Sequence, residues 1–221
     1  MEAVREGRGI YENIRKAVHF LLSSNIGEIM TIFVAMCFGW ATPLLPIQLL
    51  WVNLVTDSLP AIALGVDPAD ADSMEQPPRR ENSLFSDGMV SRIALEGAMI
   101  GMLALLAFGI GHIYFDEERA YITGRTMAFA VLSLSQLIHA FNMRSEHSLF
   151  RISPLGNPML LLAFFIGCLM QIGVIMVLPL AEIFKVCPLN GTEWLIVGAL
   201  ALTPLPVVEL EKLCDRRRRK K

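Results

Sequence analysis

The chain has 221 residues, 54% of them hydrophobic, with a positive mean hydropathy and a formal net charge of −2. Its charges crowd into a few stretches and leave several apolar runs near 20 residues, which excludes an ordinary water-soluble domain of this size. The net charge decides little by itself, because the distribution of Lys and Arg matters more.

Six candidate spans run over about 17–40, 44–66, 89–114, 125–143, 157–181 and 193–213, each close to the ~20 residues a helix needs to cross a bilayer. The expected fold class is therefore all-α, a polytopic membrane helix bundle with six transmembrane helices and loops short enough to make neighbours antiparallel. Residues 1–16 are polar and carry no secretory pattern. They read as a cytoplasmic stalk that runs without a breaker into the first span. The six-helix region covers 17–213, and 214–221 is a basic cytoplasmic tail.

Inside the first span lies Asn25-Ile26-Gly27-Glu28, and inside the second Asn53-Leu54-Val55-Thr56-Asp57. Between the two spans, Pro43 and Pro46 mark a nearly uncharged turn. A loop over roughly 67–88 follows, rich in Asp and Pro from Asp67 and Pro68 onward. The third span carries Gly97-x-x-x-Gly101, then Gly109 and Gly111, a spacing that lets helix backbones approach closely in lipid. Glu96, four residues after Arg92, reads as half of an interfacial ion pair. The fourth span places Gln136, His139 and Asn142 broadly on one side, where polar glue and ligation are equally open. Gln48 and Gln171 read as interhelical hydrogen-bonding groups.

Sixteen of the nineteen Lys and Arg residues fall on one side of this topology and only Arg119, Arg125 and Lys185 on the other. Both termini should then be cytoplasmic. Four cysteines, Cys37, Cys168, Cys187 and Cys214, form no CxxC and have no His at ligand spacing, so they read as small apolar fillers and not as a zinc site. The run Arg216–Lys221 directly follows a span; it is read as an anchor against anionic headgroups, with no nucleic-acid partner.

The two polar clusters carry the chemistry. Glu28 lies twelve residues from both Lys16 and Trp40, and Thr56 thirteen from Pro43 and eleven from Asp67. At ~1.5 Å rise per residue both clusters come out near the middle of a ~30 Å hydrocarbon core. An ionisable group at that depth is a functional-site hypothesis by default. Pro60 cannot donate to the carbonyl of Thr56, which frees a backbone oxygen beside Asp57, as at the interrupted helices of transporter ion sites. The candidate metal ligands are Asn25, Glu28, Asn53, Thr56 and Asp57. They offer oxygen only, a set that suits Ca²⁺ better than thiophilic metals. Two carboxylates also balance one dication, and when the metal leaves, protons are the natural replacement. Calcium outward with protons inward is the resulting expectation. A self-contained six-helix cation channel or secondary transporter, or a pump for Mn²⁺ or Na⁺, would use similar residues.

SSNIGE (Ser23–Glu28) and LLWVNLVTDSLPAIALGVDP (Leu49–Pro68) resemble the fifth and sixth transmembrane helices of P-type calcium-transporting ATPases, closest to sarcoplasmic-reticulum-type pumps and their bacterial relatives. EGRGIYENIRKAV (Glu6–Val18) is similar to the passage from the phosphorylation domain into the fifth-helix stalk, and QPPRRE (Gln76–Glu81) to the next cytoplasmic loop. The resemblance runs the length of the chain. It implies the C-terminal transmembrane half of such a pump, its fifth to tenth helices, with Ca²⁺ as transported ion at the five residues named above. It also implies ATP and Mg²⁺ acting only through a missing N-terminal half, the lipid bilayer as surroundings, and a bacterial plasma membrane as location. The DKTGT phosphorylation motif and the nucleotide-binding domain are absent, so the chain alone is expected to be an inactive fragment. Glu146 joins the ligands if the SE-x-SL pattern sets the register. Arg144, two residues earlier, is expected to reach towards the cage, which would favour one Ca²⁺ per cycle.

Overall fold

A computed structural model describes residues 2–68, 85, 88–114, 120–145 and 156–219. Glu146, the Gln76–Glu81 segment and the side chains of the basic tail lie outside the described residues. Among those described, every regular element is helical: α1 (Glu2–Cys37), α2 (Pro46–Trp51), a π-helical turn π1 (Val52–Asp57), α3 (Ser58–Gly65), α4 (Met89–Tyr114), α5 (Ala120–Asn142), α6 (Pro158–Met176), α7 (Leu178–Phe184), α8 (Gly191–Leu202) and α9 (Pro204–Arg219).

At ~1.5 Å per residue, α1 with its 36 residues is roughly 54 Å long. That exceeds a ~30 Å core by well over a third, so stalk and first span form one continuous rod. The second span is α2, π1 and α3 in series. Proline breaks the last two expected spans. The fifth ends at Met176 and resumes as α7 around Pro179, and the sixth divides into α8 and α9 at Pro204, because a proline cannot donate to the preceding turn. Side-chain caps fix the starts. Asn157 Oδ1 accepts from Leu160 N at 2.9 Å ahead of α6, and Asn190 and Glu193 form a reciprocal capping box ahead of α8.

Five helical stretches among the described residues are long and apolar enough to cross a bilayer: Ala3–Cys37, Pro46–Gly65, Met89–Tyr114, Pro158–Met176 and Gly191–Leu213. The remaining expected span, the fourth, is α5, which has 23 residues and is long enough, but is less apolar than these. Its position explains why. Helix α5 packs against α1, α3, α4, α6, α8 and α9, so Ser133, Ser135, Gln136, His139 and Asn142 are buried in protein. A helix enclosed by others need not be soluble in lipid. The outer helices are apolar outward instead, with Leu169 and Leu195 about three-quarters exposed.

Small residues set the spacing of the inner helices. A Cβ at Gly97 would stand 2.6–2.7 Å from Ile26 side-chain atoms and the Ser23 carbonyl, and one at Gly101 2.8 Å from the Gly27 carbonyl. The Gly97-x-x-x-Gly101 stripe thus seats α4 directly against the α1 backbone. Gly111 meets Gly124 of α5 in the same way, whereas Gly109 faces open space. Gly97→Ala in the full-length protein should cost about 1–3 kcal/mol by overpacking. Gly109→Ala should be neutral or mildly stabilising. Thermal unfolding of the two variants in detergent checks this, and equal behaviour would refute the packing assignment.

Candidate cation site

The two polar clusters meet. Asn53 Nδ2 of π1 donates to Glu28 Oε2 of α1 at 2.8 Å, and also to the Leu49 carbonyl at 3.0 Å. Glu28 and Thr56 are buried, and Asp57 is 1% exposed. Asp57 lies within electrostatic reach of Glu28. Both Asp57 oxygens and Glu28 Oε1 are buried with no hydrogen bond formed to them, although the Ser24 hydroxyl is turned towards Asp57 and the Gln136 amide towards Glu28. A buried carboxylate oxygen without a partner is costly, and here three such oxygens share one small region.

The neutral members are oriented to accept. Thr56 Oγ1 donates to the Val52 carbonyl at 2.9 Å, and Asn25 Nδ2 to the Leu21 carbonyl at 2.8 Å. Both amide hydrogens of Asn53, the Thr56 hydroxyl hydrogen and one of the two on Asn25 are thus committed to neighbouring oxygens, which leaves the oxygen lone pairs of Asn53 and Thr56 as their free chemistry. Asn25 is only half-buried and bonds within its own helix, so its link to the two acids is through α1 alone. The interruption expected from Pro60 takes another form. The chain widens into the π-helical turn over Val52–Asp57, where Ser58 Oγ donates to the Asn53 carbonyl at 2.8 Å. Such turns often occur at functional sites because they re-aim side chains without ending the helix.

Gln136 of α5 also belongs here. It stands beside Glu28, its Nε2 3.4 Å from the Ser24 carbonyl, and its Oε1 is buried and unpaired. The stripe Gln136, His139, Asn142 does face inward, but each member meets a different partner. Asn142 Nδ2 donates to the Pro204 carbonyl at 3.0 Å, and His139 meets Glu96. Gln48 and Gln171 act as interhelical links, to the Phe184 carbonyl and to Trp51 Nε1.

Two expectations are overturned. Arg144 does not reach towards the cage. Its Nε lies 3.3 Å from Asp67 Oδ1, ten residues and roughly 15 Å along the second span from Asp57. Asp67 draws it there as part of a buried knot with Lys16 Nζ at 3.1 Å and Asn157 Nδ2 at 2.8 Å. The charge argument for a single ion therefore falls away. Nor does Glu96 pair with Arg92. Arg92 turns to Glu211 of α9 at 3.9 Å, and Glu96, buried beside the tight α1 contact, meets His19 Nε2 at 2.7 Å and His139 Nε2 at 3.4 Å.

The described residues form a membrane helix bundle in which two buried acids stand within electrostatic reach of each other, with amide and hydroxyl oxygens around them and a π turn beneath one of them. Residues 41–214 match the family "Cation transporting ATPase, C-terminus", and the chain belongs to it. It is similar to "Calcium-transporting ATPase 1" of Bacillus cereus, 46% identical over 98% of this chain and 26% of that protein. It is also similar to "Calcium-transporting ATPase" of Bacillus subtilis, 42% identical over 91% of this chain and 23% of that protein. A "Calcium-transporting ATPase" of Plasmodium falciparum is 31% identical over 96% of this chain and 20% of its own length. The chain thus spans about a quarter or less of the relatives it matches.

In metal-free full-length protein, Asn53→Ala should cost about 1–3 kcal/mol, because Glu28 loses its donor. Asp57→Asn removes no hydrogen bond and should stay within about 1 kcal/mol of wild type. Chelator-treated thermal unfolding reads both, and the opposite order would contradict the bonding described.

Proposed function

We propose that this chain is the ion-binding transmembrane part of an ATP-driven pump that exports Ca²⁺ from the cytoplasm and returns protons. The observation that carries the reading is the group of three buried carboxylate oxygens on Asp57 and Glu28 with no hydrogen bond formed to them. A divalent cation satisfies all three and cancels both charges, which lowers the burial cost of ion and acids together. Calcium accepts about six to eight oxygens in flexible geometry. Glu28 and Asp57 supply the charge, and Asn25, Asn53 and Thr56 supply neutral oxygens. The printed names of the relatives support the choice of ion.

Each side chain has a separate task in this scheme. Asn53 fixes the Glu28 carboxylate while its own oxygen stays available. The π turn presents Asn53, Thr56 and Asp57 over a single widened stretch. Once the ion has left, the same acids hold protons, which are carried inward as the cage closes. Energy comes from ATP, with Mg²⁺, through the three-quarters of such a pump that this chain does not span. The Lys and Arg asymmetry and the Bacillus relatives favour a bacterial plasma membrane with both chain ends in the cytoplasm.

Glu28→Gln and Asp57→Asn in the full-length pump should each raise the Ca²⁺ concentration for half-maximal phosphorylation at least about tenfold, roughly 1.4 kcal/mol. An unchanged calcium dependence would remove these ligands from the scheme. In sealed inside-out vesicles lacking other permeant ions, ATP-driven Ca²⁺ uptake should make the lumen alkaline. Uptake with a constant lumenal pH would eliminate the proton exchange.

A further inference from the structure

Outside the cation cage the bundle holds a second buried ionic cluster. Glu96 Oε2 of α4 receives two imidazoles from different helices, His19 Nε2 of α1 at 2.7 Å and His139 Nε2 of α5 at 3.4 Å. The Glu96 and His139 side chains are 4% and 0% exposed, and His19 is 15% exposed. Along α1, Glu28 of the cage is nine residues from His19, roughly 14 Å of helix, so the two sites are separate.

Charge balance points to what the cluster holds. With both imidazoles neutral, the three side chains carry one buried negative charge. A buried carboxylate without a compensating cation costs several kcal/mol. Apart from the cage acids Glu28 and Asp57, which carry the same sign of charge as Glu96, the charged groups of the surrounding helices are engaged elsewhere. On α4 itself, Arg92 pairs with Glu211 of α9. On α1, Lys16 pairs with Asp67, and Arg8, Glu12 and Arg15 are partnered. On α9, Lys212 Nζ donates to the Asn142 carbonyl at 2.9 Å, and Glu209 is buried and partnered. On α8, Glu193 caps its own helix. At the far ends of α4 and α5, His112 stacks on Phe108 and Arg125 on Tyr121. One added proton, shared between an imidazole and Glu96, makes the cluster neutral overall. The 2.7 Å between His19 Nε2 and Glu96 Oε2 is a hydrogen-bond distance, which calls for a proton between the two atoms.

We propose that His19, Glu96 and His139 form a proton-binding site distinct from the cation cage, which takes up and returns one proton. The proton comes from water as hydronium, lodges on an imidazole nitrogen facing Oε2, and leaves by the same nitrogen. Because the three side chains come from α1, α4 and α5, its occupancy changes how firmly the stalk-bearing helix is held to the two inner helices.

Glutamine variants separate this role from simple hydrogen bonding, since a Gln Nε2 can donate as an imidazole Nε2 does but cannot titrate. Thermal unfolding of the full-length protein in lipid nanodiscs would be followed from pH 5.5 to 8.0, together with His19→Gln, His139→Gln, the double variant and Glu96→Gln. The midpoint of the wild type should gain on that of the double variant as pH falls, by at least about 2 °C across the range. Glu96→Gln should abolish the same pH-dependent gain. Parallel curves for wild type and the variants would overturn the proposal, whether or not their midpoints are offset. A stabilisation by added Zn²⁺ that the double variant lacks would also overturn it, in favour of a metal. This readout needs no transport, so it stands or falls apart from the calcium assignment.

Discussion

The bundle is organised around a burial problem: Asp57 carries two oxygens into the protein interior with no hydrogen bond formed to either, within electrostatic reach of Glu28. Folded proteins seldom tolerate such groups without a use for them. Nearby elements deepen the problem instead of relieving it. Thr56 spends its hydrogen and Asn25 one of its two on backbone carbonyls, and Asn53 spends both of its own on Glu28 and Leu49. What remains is a cluster of oxygen lone pairs around two buried acids, whose ionised forms burial by itself disfavours.

The rest of the architecture holds that pocket in place. Tight glycine contacts lock α4 onto α1 close to Glu28, through Gly97 and Gly101 against Ser23, Ile26 and Gly27. Helix α5 brings Gln136 up to Glu28 from the other side. At the far end of the second span, Asp67 ties α1, α5 and the start of α6 into one ionic knot. The ends of the acid-bearing segments are therefore pinned, and the π turn between them carries the polar side chains.

Much of this was legible in the sequence. The six helical spans follow from apolar run length, and the pairing of Glu28 with the Asn53–Asp57 cluster follows from matched depth. The choice of ionic partners was not legible. Helical spacing favours Arg92 for Glu96, yet a tertiary contact wins because Glu96 adjoins Gly97, on the face that α4 buries against α1. That adjacency, and a histidine on each neighbouring helix, were the available signals. Arg144 was misassigned for a similar reason, since nothing local reveals that Asp67 folds back to meet it. The π turn has no clear signature in VNLVTD, and the breaks near Pro179 and at Pro204 were overlooked because the surrounding runs are so apolar.

Helix α1 carries no proline, no break and no π turn from Glu2 to Cys37. Glu28 and the stalk are therefore parts of a single unbroken helix, while Asp57 rides on the π turn of its own span. A push or twist delivered near Arg5 would arrive at Glu28 with no joint to absorb it, and the gap between the acids would open or narrow accordingly. Mechanical work done tens of ångströms away can in this way become a change in how tightly an ion is gripped.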